Sequence, residues 1–194
     1  MTVAHEPWLV VRFLLASAAL TLALAIWSMH FVGMLAARLP VVVDFLVLPT
    51  LLSFLVCVLV VGVAVFAASN GPLTAVRLGL SALVMGAGIC TMHYLGMYAL
   101  HASSRMVHDP TYVVASFLVA FNAAGLALWL SFGSGKRPPI VVSAGVLALA
   151  ISAMHYTAMA GMLIFPRAEG VAFTAPAVSP GTLAIIVACV AFLV

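Results

Sequence analysis

Met29-His30-Phe31-Val32-Gly33-Met34 lies inside an apolar run, and the chain writes it twice more, as Met92-His93-Tyr94-Leu95-Gly96-Met97 and Met154-His155-Tyr156-Thr157-Ala158-Met159. The shared form is Met-His-aromatic-x-small-Met, and successive copies begin 63 and 62 positions apart. Each copy sits in a stretch long enough to cross a bilayer. A histidine is costly to keep in hydrocarbon, so three of them at a fixed period call for a reason.

Composition sets the class. Apolar residues make up 66% of the chain and charged residues 6%, with a mean hydropathy of +1.34. A soluble domain carries roughly a quarter charged residues. The fold class is therefore an all-α membrane protein, a multi-span helical bundle with the lipid bilayer as its first partner. The net charge of +3 comes from seven basic residues scattered among loops. No basic patch forms, which excludes nucleic acid as a partner. Cys57, Cys90 and Cys189 all lie in apolar runs without a CxxC, so no disulfide framework is expected. Cys90 precedes His93 by three residues and shares its helical face. The N-terminus does not read as a cleaved signal peptide, because Arg12 interrupts it and the apolar run continues to Ala37.

A spanning helix needs about 20 apolar residues. Such stretches run from Phe13 to Ala37, Phe45 to Ser69, Leu78 to Leu100, Tyr112 to Phe132 and Ile140 to Phe165. A sixth begins near Thr182 and is still running at Val194, so it reads as truncated. Pro40, Asn70-Gly71-Pro72, Asp109-Pro110, Gly133-Ser134-Gly135 with Pro138-Pro139, and Ser179-Pro180-Gly181 punctuate the loops.

The repeat extends past the motif. Ser53-Phe54-Leu55-Val56 returns as Ser116-Phe117-Leu118-Val119, and Ile26, Ile89 and Ile151 each stand three residues before a motif methionine. The expected organisation is one domain over 1–194, built from three parallel two-helix repeats at about 13–69, 78–132 and 140–194. Two spans return the chain to its starting side, so parity alone puts all three motifs at similar depth near one face. Arg12, Arg77, Lys136 and Arg137 fall on one side, and Arg38, Arg105 and Arg167 on the other. That bias favours a cytoplasmic N-terminus and motifs toward the external side.

On a helix, residues four apart share a face. This pairs His30 with Met34, His93 with Met97 and His155 with Met159. Converging first, third and fifth spans would bring three imidazoles and three thioethers into one layer. Met29, Met92 and Met154 stand about 100° around each helix, as alternate ligands or lining. Gly33, Gly96 and Ala158 are small enough to let a neighbouring backbone approach. Imidazole with thioether is a borderline-soft donor set that suits Cu(I) and, with rearrangement, Cu(II). It suits Zn²⁺ less well and gives no oxygen cage for Mg²⁺ or Ca²⁺. Neutral ligands leave the ion's charge uncompensated, since Glu6, Asp44, Asp109 and Glu169 all lie in loops; a monovalent ion minimises that cost. Any one of these methionines taken alone reads as packing, and any one histidine as a bond to a neighbouring carbonyl. Tyr94 and Tyr156 follow their histidines as outer donors or interfacial aromatics, whereas Phe31 fills the first copy. Asn122, an amide in the middle of the fourth span, is a candidate partner for a motif histidine or a bridge between helices. His101 and His108 lie in the loop beyond the second motif and read as solvated.

These residues resemble the MHYT domain, a bacterial integral-membrane sensor module. Only Met154-His155-Tyr156-Thr157 spells its tetrapeptide in full. The resemblance covers nearly the whole chain. It implies copper held by such Met and His residues near the outer face of the bacterial inner membrane, and sensing of O2, CO or NO. It also implies a cytosolic signalling domain C-terminal to the chain, commonly for cyclic-di-GMP synthesis or breakdown, with a homodimer among the expected assemblies. Family members resemble seven-span domains, with one span ahead of the first motif helix. Here His5-Glu6-Pro7-Trp8 reads as the start of such a span, because His108-Asp109-Pro110 opens the fourth in the same way.

Four functions stay open at this stage: a copper sensor of gas or redox state, a bis-histidine haem protein for electron transfer, a copper carrier, and a proton sensor. A carrier would want Met/His sites stepped across the membrane, and these form one layer. An enzyme is not expected, because no nucleophile–base pair or intramembrane carboxylate is present; any catalytic output domain lies outside this chain.

Overall fold

A computed structural model describes residues 7–39, 43–102, 104–133, 139–166 and 175–193. Six helices succeed one another: α1 (Pro7–Ala36), α2 (Val47–Ser69), α3 (Ala75–Tyr98), α4 (Pro110–Phe132), α5 (Ile140–Ala160) and α6 (Pro180–Phe192). The first five are long and apolar enough to cross a membrane. The 13 residues of α6 reach roughly 20 Å at 1.5 Å per residue.

Two boundaries depart from the sequence reading. Pro7 and Trp8 form the first turn of α1 itself, not a stub of a separate span. Proline suits the first helical position, and Arg12 lays its guanidinium 5.1 Å from the Trp8 ring centre. Its long stem carries the charge along the helix surface without breaking it. At the other end of the sequence, α5 stops at Ala160, and Gly161 turns the chain into a strand. His5, Glu6, Pro40, Ser134, Gly135, Lys136, Arg137, Pro138, Arg167 and Glu169 lie outside the described residues.

Short strands, which the apolar pattern does not reveal, link the helix exits. β1 (Val43–Leu46) follows α1; β2 (Leu100–Ala102) and β3 (Ser104–His108) follow α3; β4 (Met162–Pro166) and β5 (Ala177–Val178) follow α5. The sheets run β2-β1-β5 and β3-β4, every pair antiparallel. Thus the exit of α1 is stitched to the exit of α3, with Asp44 opposite His101, and the exit of α3 to that of α5, with Met106 opposite Ile164. The stitching pins the ends of α1, α3 and α5 at one depth.

Helices meet through small residues. Ala23, Ala64, Ala68, Ala82, Ala120 and Ala124 are all buried, as expected where backbones must approach closely without a hydrophobic drive. Leu48, Leu51, Leu52, Leu55 and Leu59 lie along one exposed face of α2. This inverts the soluble pattern and gives lipid an apolar surface. α1 packs on α2 and α6 and also touches α3 and α5, while α2–α3, α3–α4 and α4–α5 are neighbours. At Gly86 backbone meets backbone, and an added Cβ would lie 2.9 Å from Phe121 N and Cα. At the end away from the strands, Gly71 takes φ +105°, and Arg77 donates to the carbonyls of Asn70 (2.5 Å) and Pro72 (3.2 Å).

Candidate metal centre

The three motifs occupy the last turns of α1, α3 and α5, just before the strands. His30 lies six residues from the end of α1, and His93 and His155 five from the ends of α3 and α5. That is roughly 7–9 Å of helix. With the helix ends tied by strand pairing, offsets that differ by one residue put the imidazoles at nearly the same depth. The common layer expected from span parity is present.

All three rings are buried, and they pack edge to face around a near-threefold axis, with centroids 4.9, 5.3 and 5.2 Å apart. The Nδ1 atoms turn inward. His30 Nδ1 is 3.1 Å from His93 Nδ1 and 3.3 Å from His155 Nδ1. One nitrogen from each ring falls within 4.8 Å of the other two. The outer nitrogens, Nε2 of His30, His93 and His155, are buried without a hydrogen-bond partner.

Those two facts fit a bound cation. Three imidazoles converging with no carboxylate among the described residues of the cluster present lone pairs to one point, and protons alone can bridge only pairs of them. An ion at about 2.0–2.1 Å from each nitrogen in tetrahedral geometry sets the nitrogens about 3.3–3.4 Å apart. The two observed separations are close to that. With Nδ1 as donor, the proton belongs on Nε2.

The motif methionines lie on the same helix turns as the histidines. Met34, Met92, Met97 and Met154 are in the core, and Met29 and Met159 pack half-buried against it. The other sequence candidates separate. Cys90 is buried but lies outside the histidine cluster, lining a groove of about 670 Å³ between α3 and α4 with Tyr94, Tyr98 and Phe117. Tyr94 meets His93 edge to face at 4.9 Å and donates its hydroxyl to Ser116 Oγ at 3.0 Å, while Ser116 donates to the Val113 carbonyl. Tyr156 touches His155 at 5.2 Å but is 60% exposed, facing outward. Asn122 also faces outward and donates to the Leu118 carbonyl of its own helix at 2.7 Å. It therefore does not serve a motif histidine, since a lone amide in a span satisfies itself on the carbonyl four residues back.

The aromatic after each histidine follows its surroundings. Phe31 is completely buried between Trp27 and Phe45, at 4.7 and 5.9 Å. A phenol there would strand its hydroxyl, which explains the one copy without tyrosine.

Sequence reading missed two roles. The repeated serines are helix-to-helix anchors. Ser53 accepts from Trp27 Nε1 at 3.1 Å and donates to Thr50 O, as Ser116 serves Tyr94 and Val113. Their 63-residue spacing was the available signal. Gly33 and Gly96, expected to admit a neighbouring backbone, instead face imidazoles. His108 is also not simply solvated. It ends β3 half-buried, edge to face with Tyr94 at 5.0 Å, with Nε2 unpartnered. Burial holds its pKa below the ordinary value of 6.5.

Comparison with known proteins agrees with the repeat. The family described as the bacterial signalling protein N-terminal repeat, MHYT, matches residues 23–81 and again 86–144. The matched segments are offset by the 63 residues read from the motif, and each runs from a motif helix through its successor into the next. The chain is 40% identical over 178 residues to the bifunctional diguanylate cyclase/cyclic di-GMP phosphodiesterase MucR of Pseudomonas aeruginosa, covering 89% of this chain and 26% of that protein. It is 30% identical over 152 residues to the signaling protein YkoW of Bacillus subtilis, covering 75% and 19%. It is 31% identical over 145 residues to the cyclic di-GMP phosphodiesterase NbdA of Pseudomonas aeruginosa, covering 72% and 18%. The chain thus spans about a quarter or less of the length of these relatives. No solved structure matches. A tripled Met-His motif on apolar helices, one period and a family match over most of that period lead to one conclusion: the chain belongs to the MHYT family of multi-pass inner-membrane signalling proteins.

Proposed function

We propose that this domain is a signal-input module that holds one soft metal ion, copper, on His30, His93 and His155, with motif methionines completing the site. The convergence of three buried Nδ1 atoms carries this reading. Bound there, copper supplies a redox-active Lewis acid with affinity for O2, CO or NO. The protein's part is to hold the imidazoles in a dry layer: all three rings are buried, Phe31 packs edge to face against His30, and Met92, Met154, Ile26 and Ile89 are buried on the same three helices. Among these buried neighbours none bears a formal charge, which favours a monovalent ion over a divalent one.

Signal transmission rests on helix contacts. α1, α3 and α5 share the imidazole cluster and the strand ties, and α1 also packs on α6. A ligand that prefers one spacing of the three motif helices shifts their packing, because only differential affinity moves such an equilibrium. The relatives' names make a cytosolic cyclic-di-GMP output domain C-terminal to this chain the proposed receiver. The basic-residue bias supports a cytoplasmic N-terminus and motifs toward the periplasm.

The spacing supports a single ion over haem. Axial imidazoles on opposite faces of a porphyrin stand about 4 Å apart, twice a metal–nitrogen bond of about 2.0 Å, with the macrocycle between them. Here the nitrogens are 3.1 and 3.3 Å apart. The test is metal analysis of the purified protein beside its His30→Ala, His93→Ala and His155→Ala variants, with an optical spectrum. About one copper per chain in the parent and its loss in the variants is expected. Unchanged metal content, or a Soret band, overturns the reading.

A further inference from the structure

Two imidazoles of the cluster rest on glycines of the neighbouring motif helix. A Cβ added at Gly96 would overlap His30 Nε2 and lie 2.9 Å from its Cδ2 and 3.2 Å from its Cε1. One added at Gly33 would lie 2.5 Å from His155 Nε2, 2.9 Å from Cδ2 and 3.1 Å from Cε1. Ordinary contacts between such atoms begin at about 3.5 Å, so neither place admits a methyl while the ring keeps its position. By contrast, a Cβ at Gly62 or Gly145 would meet nothing within 4 Å.

The same edge of the ring, Cδ2–Nε2–Cε1, faces the glycine in both cases. A planar five-membered ring pressed there must present Nδ1 to the opposite side, where the three Nδ1 atoms meet. The pressed nitrogens are fully buried and unpartnered, although buried polar atoms normally find a partner. The seats cross between helices, with α3 seating the ring of α1 and α1 seating the ring of α5. In the third motif Ala158 stands at the matching position and is itself buried.

We infer that Gly33 and Gly96 are positioning residues that select Nδ1 of His155 and His30 as the metal-binding nitrogen and leave the Nε2–H without an acceptor. This rests on the metal site proposed above. Its chemical consequence concerns donor strength. Metal-bound histidines usually donate their second N–H to a carboxylate or carbonyl, which makes the ring more basic. An imidazole seated against a glycine Cα receives no such push and stays a modest neutral donor, matched to an ion of low charge.

The test uses the full chain in lipid nanodiscs, produced with histidine labelled with ¹⁵N at Nδ1 only and loaded with one equivalent of Cu²⁺ as the paramagnetic probe. Electron–nuclear double resonance should show the label as strongly coupled, directly bound nitrogen. Gly96→Ala and Gly33→Ala should each lose one such nitrogen and bind copper at least about tenfold more weakly, while Gly62→Ala matches the parent. Copper bound with the label seen only as weakly coupled remote nitrogen overturns this inference and leaves the metal site standing. Alanine variants that retain the parent's affinity and spectrum overturn the role of the glycines alone. No histidine-dependent copper overturns both proposals. The labelled parent decides the coordinating atom even if an alanine variant does not fold.

Discussion

Nδ1 of His93 stands 3.1 Å from Nδ1 of His30, although the two residues lie 63 positions apart on different helices. Neither ring reaches water, and neither Nε2 has a partner. Such an arrangement is poor structural packing and good ligand geometry. A bundle gains nothing from three buried imidazoles that alanine or leucine could replace, unless their lone pairs are used.

Removing one imidazole should weaken copper binding more than it weakens the fold. A lost outer-shell partner alone costs about 10–100-fold in metal affinity. Loss of His30, His93 or His155 to Ala should therefore cost at least about 100-fold, read by competition with a Cu(I) chelator. Equal affinity in any single variant removes that residue from the site.

The methionines separate packing from ligation. Met→Leu conserves volume and costs less than about 1.5 kcal/mol in a packed core. Met34→Leu and Met97→Leu should leave the thermal midpoint nearly unchanged, yet lower Cu(I) affinity about tenfold or more. Unchanged Cu(I) affinity would make these side chains lining.

The aromatic positions should respond unequally. Tyr94→Phe removes the bond to Ser116 and should cost about 0.5–1.5 kcal/mol. Tyr156→Phe, at an exposed position, should cost almost nothing. Phe31→Tyr buries a hydroxyl without a partner and should cost about 1–3 kcal/mol. Denaturant titration in mixed micelles ranks the three, and a destabilised Tyr156→Phe would contradict the outward placement of that ring.

Acid should weaken the β3–β4 sheet through His108. Burial lowers its folded-state pKa below 6.5, so on acidification the unfolded chain takes up the proton first. Stability then falls as the pH drops below about 6.5 and is regained as it rises. His108→Gln should flatten that acid limb in thermal midpoints measured across the window. A parent midpoint independent of pH there would contradict the half-buried placement.

Much of this was legible in the residues, and the gaps have physical causes. Apolar runs and span parity located six helices and put His30, His93 and His155 in one layer, because a period of two spans admits no other arrangement. Met162–Pro166 is hidden because it continues the apolar composition of α5, whereas Val43–Leu46, short and with Asp44 in it, reads as loop. Arg12 bounds the apolar run in the sequence, yet α1 passes through it because a long stem lets the charge lie along the helix surface. Asn122 reads from the sequence as a partner for a motif histidine or a bridge between helices, because an amide in a span must be satisfied; its own helix does that instead. The glycines were rightly marked as close contacts, but only the structure shows that an imidazole fills Gly33 and Gly96 while a backbone fills Gly86.

The most direct measurement is X-ray absorption at the copper edge on the purified chain in nanodiscs, with copper quantified in the same sample. The account predicts about one copper per chain, with imidazole nitrogen at about 2.0 Å and sulfur at about 2.3 Å, all lost when His30, His93 and His155 are together replaced by Ala. Copper far below one per chain, or a nitrogen shell that survives the triple replacement, contradicts it.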